Sequence, residues 1–172
     1  MALRVPKIVL ALYGPSCVGK STVASILAKQ LQLPVRHCSE ALRDRATHFE
    51  YDFSKVPQRV HDEVDEETRA IVATTEGLVV EGRFLDKVLA AANNICSVKL
   101  TCNDAERAAR LAARFGSTRR IESEDQADRD TRLLLYGDGG ADDSPAMTIA
   151  TDAVAPEEVA ARILAWISEG LS

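Results

Sequence analysis

"KIVLALYGPSCVGKST", residues 7–22, puts two glycines, a lysine and adjacent hydroxyls where an apolar strand should end. Residues 7–13 are β-rich and apolar, as suits a central strand. Gly14, four residues, then Gly19, Lys20 and Ser21 have the spacing of a phosphate-binding loop. Glycines let the backbone curl so that successive N–H groups face phosphate oxygens. The following helix adds the positive end of its dipole, and Val23, Ile26, Leu27 and Leu31 recur at helical spacing to form it. Lys20 is long enough to reach a transferred phosphate, and the Ser21 hydroxyl is a Mg²⁺ ligand. Gly14, Pro15, Ser16, Cys17, Val18, Gly19, Lys20, Ser21 and Thr22 are therefore the expected ATP-binding set.

The rest of the chain bounds what this loop can serve. At 172 residues it is expected to form one domain, 1–172, with no separate catalytic module. A net charge of −5 argues against a general nucleic-acid binder. No apolar run reaches membrane-spanning length, and the N-terminus lacks a signal-peptide plan, so a cytoplasmic protein with no membrane partner is expected. Cys17, Cys38, Cys96 and Cys102 form no CxxC pair, which leaves zinc without a framework. Cys38, Cys96 and Cys102 read as small buried hydrophobes, and Cys17 as a small residue that fits the loop.

Downstream, strands alternate with helices. "LPVRHC" (33–38) is a short extended segment and "SEALRDRATHF" (39–49) a helix. Val60, Val64 and Ile71 predict one helix over 58–75, with Asp62, Glu63, Asp65, Glu66 and Glu67 as a solvated face. "GLVVEG" (77–82) and "NICSVKLTC" (94–102) are buried strands. Asn103 with Glu106 opens a helix as a capping box. "AMTIAT" (146–151) is a last strand, and Pro156 starts a closing helix on Val159, Ile163, Trp166 and Ile167. The alternation predicts an α/β fold, a parallel sheet with helices on both faces. Ligands then sit beyond the strands' carboxyl ends, where the loop, Glu81–Arg83 and the arginine-rich stretch after "SVKL" converge.

Arginines point to the acceptor. Arg43 and Arg83 each follow a strand, and Arg110, Arg114, Arg119, Arg120, Arg129 and Arg132 crowd one stretch expected to be mobile. A planar guanidinium clamps phosphate oxygens, and an acceptor that is already a phosphate needs no base. An alcohol acceptor would need a carboxylate. Arg107 and Arg110 read equally well as a solvated helical stripe.

At these residues the chain resembles the nucleoside monophosphate kinases, and most of all the cytidylate kinase-like group with short lids. The likeness runs through "GPSCVGKSTVASILAKQL" (14–31), "CSEALR" (38–43), "VVEGR" (79–83), "KLTCNDAERAAR" (99–110), "DRDTRLLLYG" (128–137) and "TDAVAPEEVAARI" (151–163). The resemblance implies a P-loop three-layer α/β/α fold, a five-stranded parallel sheet in the order 2-3-1-4-5 and a short arginine-rich lid near 114–132. It implies an acceptor-binding insertion near 38–76, with Glu40, Arg43, Asp65 and Arg83 binding a nucleoside monophosphate. Lys20, Arg83, Arg114, Arg129 and Arg132 would be the catalytic set, and Ser21 and Glu81 (through water) would hold Mg²⁺. A monomer or weak dimer acting on CMP or dCMP is the expectation. Departures from archaeal-type members at His61, Asp65 and Ala146 bear on base selectivity. Two other readings stand beside it: a P-loop kinase of another small metabolite or antibiotic hydroxyl, with Glu40 or Asp65 as base, and a non-catalytic nucleotide-dependent regulator.

Overall fold

The computed structural model describes residues 8–46, 55–116, 119–138 and 145–170. In chain order they form β1 (Val9–Tyr13), α1 (Lys20–Leu31), β2 (Val35–His37), α2 (Cys38–Arg45), α3 (Gln58–Thr74), β3 (Leu78–Gly82) and α4 (Leu85–Val88). Then come β4 (Ile95–Thr101), α5 (Asp104–Phe115), α6 (Ile121–Tyr136), β5 (Met147–Ala150) and α7 (Pro156–Gly170). The sheet runs β2-β3-β1-β4-β5, and every neighbouring pair is parallel, as the sequence pattern and the resemblance together require.

Strand β1 lies at the centre and is buried along its whole length. Its alternating side chains feed two cores. Leu10 and Leu12 join Val79, Val98 and Leu100 beneath α1 and α7, while Val9, Ala11 and Tyr13 join Leu78 and Val80 beneath α3 and α4. Each fully covered Leu or Val contributes roughly 1.5–3 kcal/mol. A one-residue slip of β1 would exchange the two sets, so its register is tightly specified. Leu42, Val56, Val60 and Val64 form a third cluster where α2 meets α3, within the segment expected to bind the acceptor.

Three expectations change. The arginine-rich stretch folds as two helices, α5 and α6, with residues 117–118 between them outside the described set. The second was illegible because 121–132 offers Ile121 but almost no other apolar side chain to set a period. Arg107 does not belong to a solvated stripe: it is only 4% exposed. On α3, Asp65 leaves the expected solvent face, accepting a hydrogen bond from Tyr136, while Glu67 stays partly exposed there and pairs with Arg36 and Arg45. "GDGGADDS" (137–144) falls largely outside the described residues.

No helix among the described residues is long and apolar enough to cross a membrane. The four cysteines form no disulfide and are half-buried rather than fully buried. Burial pushes the Cys38 thiol up to about 12 and that of Cys96 to about 11.

Candidate active site

β1 ends at Tyr13, and the chain turns at Gly14 with φ of 141°. A Cβ there would lie 2.3 Å from the Leu100 carbonyl oxygen, so the turn admits glycine alone. Gly19, at φ 93°, caps α1 in the left-handed region. Cys17 takes the same region, at φ 63°, without glycine's freedom.

The carbonyls from Gly14 to Gly19 all have hydrogen-bond donors. Lys20 Nζ donates to those of Gly14 (2.9 Å) and Pro15 (2.7 Å). Arg107 Nε donates to Ser16 (2.9 Å), Arg110 Nη1 to Cys17 (3.4 Å) and Thr151 Oγ1 to Val18 (2.9 Å). Gly19 accepts from the Val23 amide (3.1 Å). Because a trans peptide sets N–H opposite C=O, each amide of residues 16–20 is turned away from the donor that holds the preceding carbonyl. Successive amides of such a loop can form an anion-binding cradle. Val18 contributes only backbone to it, since its side chain is fully buried in the core beneath α1 and α7.

Lys20 lies at the base of the cradle, and burial lowers its ammonium to about 8 despite the nearby Glu81 carboxylate. At the end of β3, Glu81 is 1% exposed. Its Oε1 accepts from Ser21 Oγ and lies against His37 Nδ1, both at 3.1 Å. Burial would push this carboxyl up, but His37, Lys20 and Ser21 together hold it below the usual carboxylate range. The Glu81 contact in turn raises His37.

A crevice of about 220 Å³ opens beside the cradle. The structure brings Lys20, Ser21, Thr22, Arg43, Glu81, Arg83 and Arg114 to its walls, with Arg110, Phe115, Arg119 and Glu124. Arg43 approaches Glu40 at 3.9 Å, and the Glu40 side chain points largely to solvent. Arg83 donates to Ser16 Oγ (3.3 Å) and is bound by Asp128, with Glu124 at 3.9 Å. Arg114 and Arg119 stack on the Phe115 ring, at 4.9 and 4.7 Å from its centre. Arg119 also pairs with Glu124 at 3.1 Å.

Other expected residues lie elsewhere. Arg129 bonds Gln126, and Arg132 pairs with Asp86; both line a separate cavity that also touches Pro15 and Lys99. Asp65 sits in a smaller cavity of about 40 Å³ between α2, α3, α4 and α6, with Cys38, His61 and Arg83 among its walls. Tyr136 Oη donates to Asp65 Oδ2 at 2.6 Å, and burial raises the Asp65 carboxyl. That cavity has room for a few waters and none for a base ring.

Reasoning from sequence missed His37, Thr151, Glu124, Asp125 and Asp128, and left Arg107 undecided. The one signal for Thr151 was a hydroxyl at a strand's carboxyl end. For the three acids there was their spacing along a helix that was itself unseen.

A family model described as an AAA domain matches residues 10–131. No curated protein matches the sequence. Among solved structures, a gluconokinase from Sinorhizobium meliloti 1021 superposes with a TM-score of 0.69 at 18% identity, covering 97% of this chain and 94% of its own. A shikimate kinase from Acinetobacter baumannii, in complex with shikimate, gives 0.67 at 19%, covering 97% and 95%. A tunicamycin resistance protein from Deinococcus radiodurans gives 0.60 at 18%, covering 93% and 95%. At such identities the likeness is one of fold: this chain has the fold of P-loop kinases.

Proposed function

The chain belongs to the AAA domain family, and from that premise we propose that it moves the γ-phosphoryl group of ATP to an acceptor that is itself a phosphate, a nucleoside monophosphate with CMP or dCMP first. One observation carries the reading. Arg43, from the last turn of α2, and Arg83, which follows the end of β3, flank the same crevice as the phosphate cradle. Two guanidinium forks there suit a dianionic acceptor.

The carboxylates of that crevice support it. Glu81 is tied to Ser21 and His37, and Glu124 to Arg119 and Arg83, so neither stands ready to take an alcohol's proton. Catalysis is then positioning and charge neutralisation. Amides 16–20 and Lys20 hold the donor phosphates, and Arg114 and Arg119 approach from α5 and the chain before α6. The Ser21 hydroxyl and the Glu81 carboxylate are hard oxygen donors side by side, which fits Mg²⁺ held by one protein oxygen and through water. When bound, Mg²⁺ neutralises phosphate charge.

A second reading has its own support. The gluconokinase and shikimate kinase that share this fold act, by their names, on hydroxylated small molecules, and Asp65, raised by burial, faces the adjoining cavity. In that case Asp65 or Glu40 is the base. Turnover of MgATP with a panel of monophosphates against cytidine, gluconate and shikimate separates the two. CMP or dCMP is expected to exceed every unphosphorylated acceptor. A faster alcohol overturns the reading in favour of the second. Tight nucleotide binding with no transfer to any acceptor overturns both in favour of a regulator.

A further inference from the structure

Arg107 is the most deeply buried arginine among the described residues, 4% exposed, and the phosphate-loop motif does not include it. A guanidinium that far from water needs partners for all its donors. Here they come from three residues. Nε donates to the Ser16 carbonyl inside the phosphate loop, at 2.9 Å. Nη1 and Nη2 both bind Asp125 of α6, and Nη1 also reaches Asp104 at 3.1 Å. One planar group thus spans from the backbone of the loop to a carboxylate on a different element.

The consequence follows from peptide planarity. Holding the Ser16 carbonyl outward fixes the Ser16–Cys17 peptide and turns the Cys17 N–H into the cradle. Cys17 pays for this with φ of 63°, a conformation that a non-glycine residue keeps only when its surroundings impose it. Asp125 fixes the angle of the fork that imposes it. If α6 withdraws, Arg107 loses its bidentate partner, and the Ser16–Cys17 peptide is free to relax out of the anion-binding geometry.

We propose that Arg107 and Asp125 are a pair of positioning residues that couple the docking of α6 to the anion-binding shape of the phosphate loop. Linkage makes the coupling mutual: an anion that orders the loop must also strengthen the seating of α6. The inference rests on the phosphate-loop part of the proposed function and is indifferent to which acceptor is used.

The test uses the whole chain, with pyrophosphate and ADP as probes. Asp125→Asn keeps the shape and removes the charge at a residue one-quarter exposed, so the fold should survive. Arg107→Lys keeps a charge that cannot reach both partners. Each is expected to weaken pyrophosphate binding about 5- to 20-fold. The double variant should be within about twofold of the weaker single, because the residues act as one unit. Pyrophosphate should slow amide exchange along α6 in the wild type and not in Asp125→Asn. A merely structural role would lower the melting temperature without that pattern. If wild type binds pyrophosphate and both single variants bind it within twofold as well, the coupling is wrong. The same holds if the losses add independently, or if α6 exchange ignores pyrophosphate. Should the wild type bind neither pyrophosphate nor ADP, it is the nucleotide reading that fails.

Discussion

On one side of the crevice, the loop from Gly14 to Gly19 has each of its carbonyls held by a hydrogen-bond donor. On the other, α6 lays Glu124, Asp125 and Asp128 against Arg83, Arg107 and Arg119. The ammonium of the first wall, Lys20, is hydrogen-bonded to the backbone carbonyls of Gly14 and Pro15. The second has already matched its cations with its own carboxylates, so an anionic acceptor must exchange places with a side chain. A site can therefore be rich in arginine and still resist phosphate. What matters is how many guanidinium groups are committed, and how buried the commitment is.

The comparison breaks most sharply at Lys20. Lys20→Ala removes the one lysine within the cradle, and turnover is expected to fall by about 1,000-fold or more while the fold persists. Steady-state kinetics alongside thermal unfolding check this. Turnover within threefold of the wild type would mean that the first wall is not the donor site.

Next comes Arg83, which touches both walls through Ser16 and Asp128. A charge-assisted contact in a closed site is worth roughly 2–4 kcal/mol, so Arg83→Ala should lower kcat/KM for the monophosphate about 30- to 1,000-fold. ATP affinity should change far less. Arg83→Lys should recover little, since an ammonium cannot reproduce the fork. Intact CMP turnover in Arg83→Ala would remove the phosphate-acceptor reading.

The same contrast explains what the sequence could disclose. The motif of the first wall is local: strand, loop and helix follow one another within residues 8–31, and glycine, lysine and hydroxyl each mark a backbone or charge requirement at a fixed offset. The sheet order followed from alternating strands and helices together with the resemblance. The second wall is not local. Arg107 meets Ser16 across 91 residues and Asp125 across 18, and nothing in the spacing of arginines tells a solvated guanidinium from a buried one. Asp65 illustrates the same limit, since only Tyr136, 71 residues away, takes it from the solvent face of α3.

Proton linkage sharpens the first wall. Burial lowers the Lys20 ammonium to about 8. A bound polyphosphate favours the charged form and raises it again, so binding takes up a proton once pH exceeds 8. Nucleotide affinity should therefore be flat below pH 7 and fall about tenfold between pH 7 and 9. Calorimetry in buffers of different ionisation enthalpy should register the proton uptake. Lys20→Ala should bind weakly with no such slope. A wild-type profile flat to pH 9 would mean that Lys20 is not the group meeting the phosphates.

The smallest expected effect has the most informative sign. Asp128 binds Arg83 where, on the proposed reading, an acceptor phosphate would bind. If the acceptor is a phosphate, it must displace this carboxylate, and Asp128→Asn removes a competing charge without changing shape. KM for CMP should then drop about 3- to 10-fold, the equivalent of exchanging one partly exposed ion pair for a weaker neutral contact. If the acceptor is an alcohol, Arg83 has no reason to leave Asp128, and the pair orients α6 over the crevice throughout the reaction. Asp128→Asn then raises KM or leaves it alone. The asymmetry comes from the wall itself: loss of an acid strengthens binding only where that acid stands in for the ligand. A fall in KM for the monophosphate, with ATP affinity unchanged, supports the exchange of partners at Arg83. A rise would mean that α6 keeps its carboxylates on Arg83 while substrate is bound, and that Arg83 serves the fold of the site rather than the acceptor.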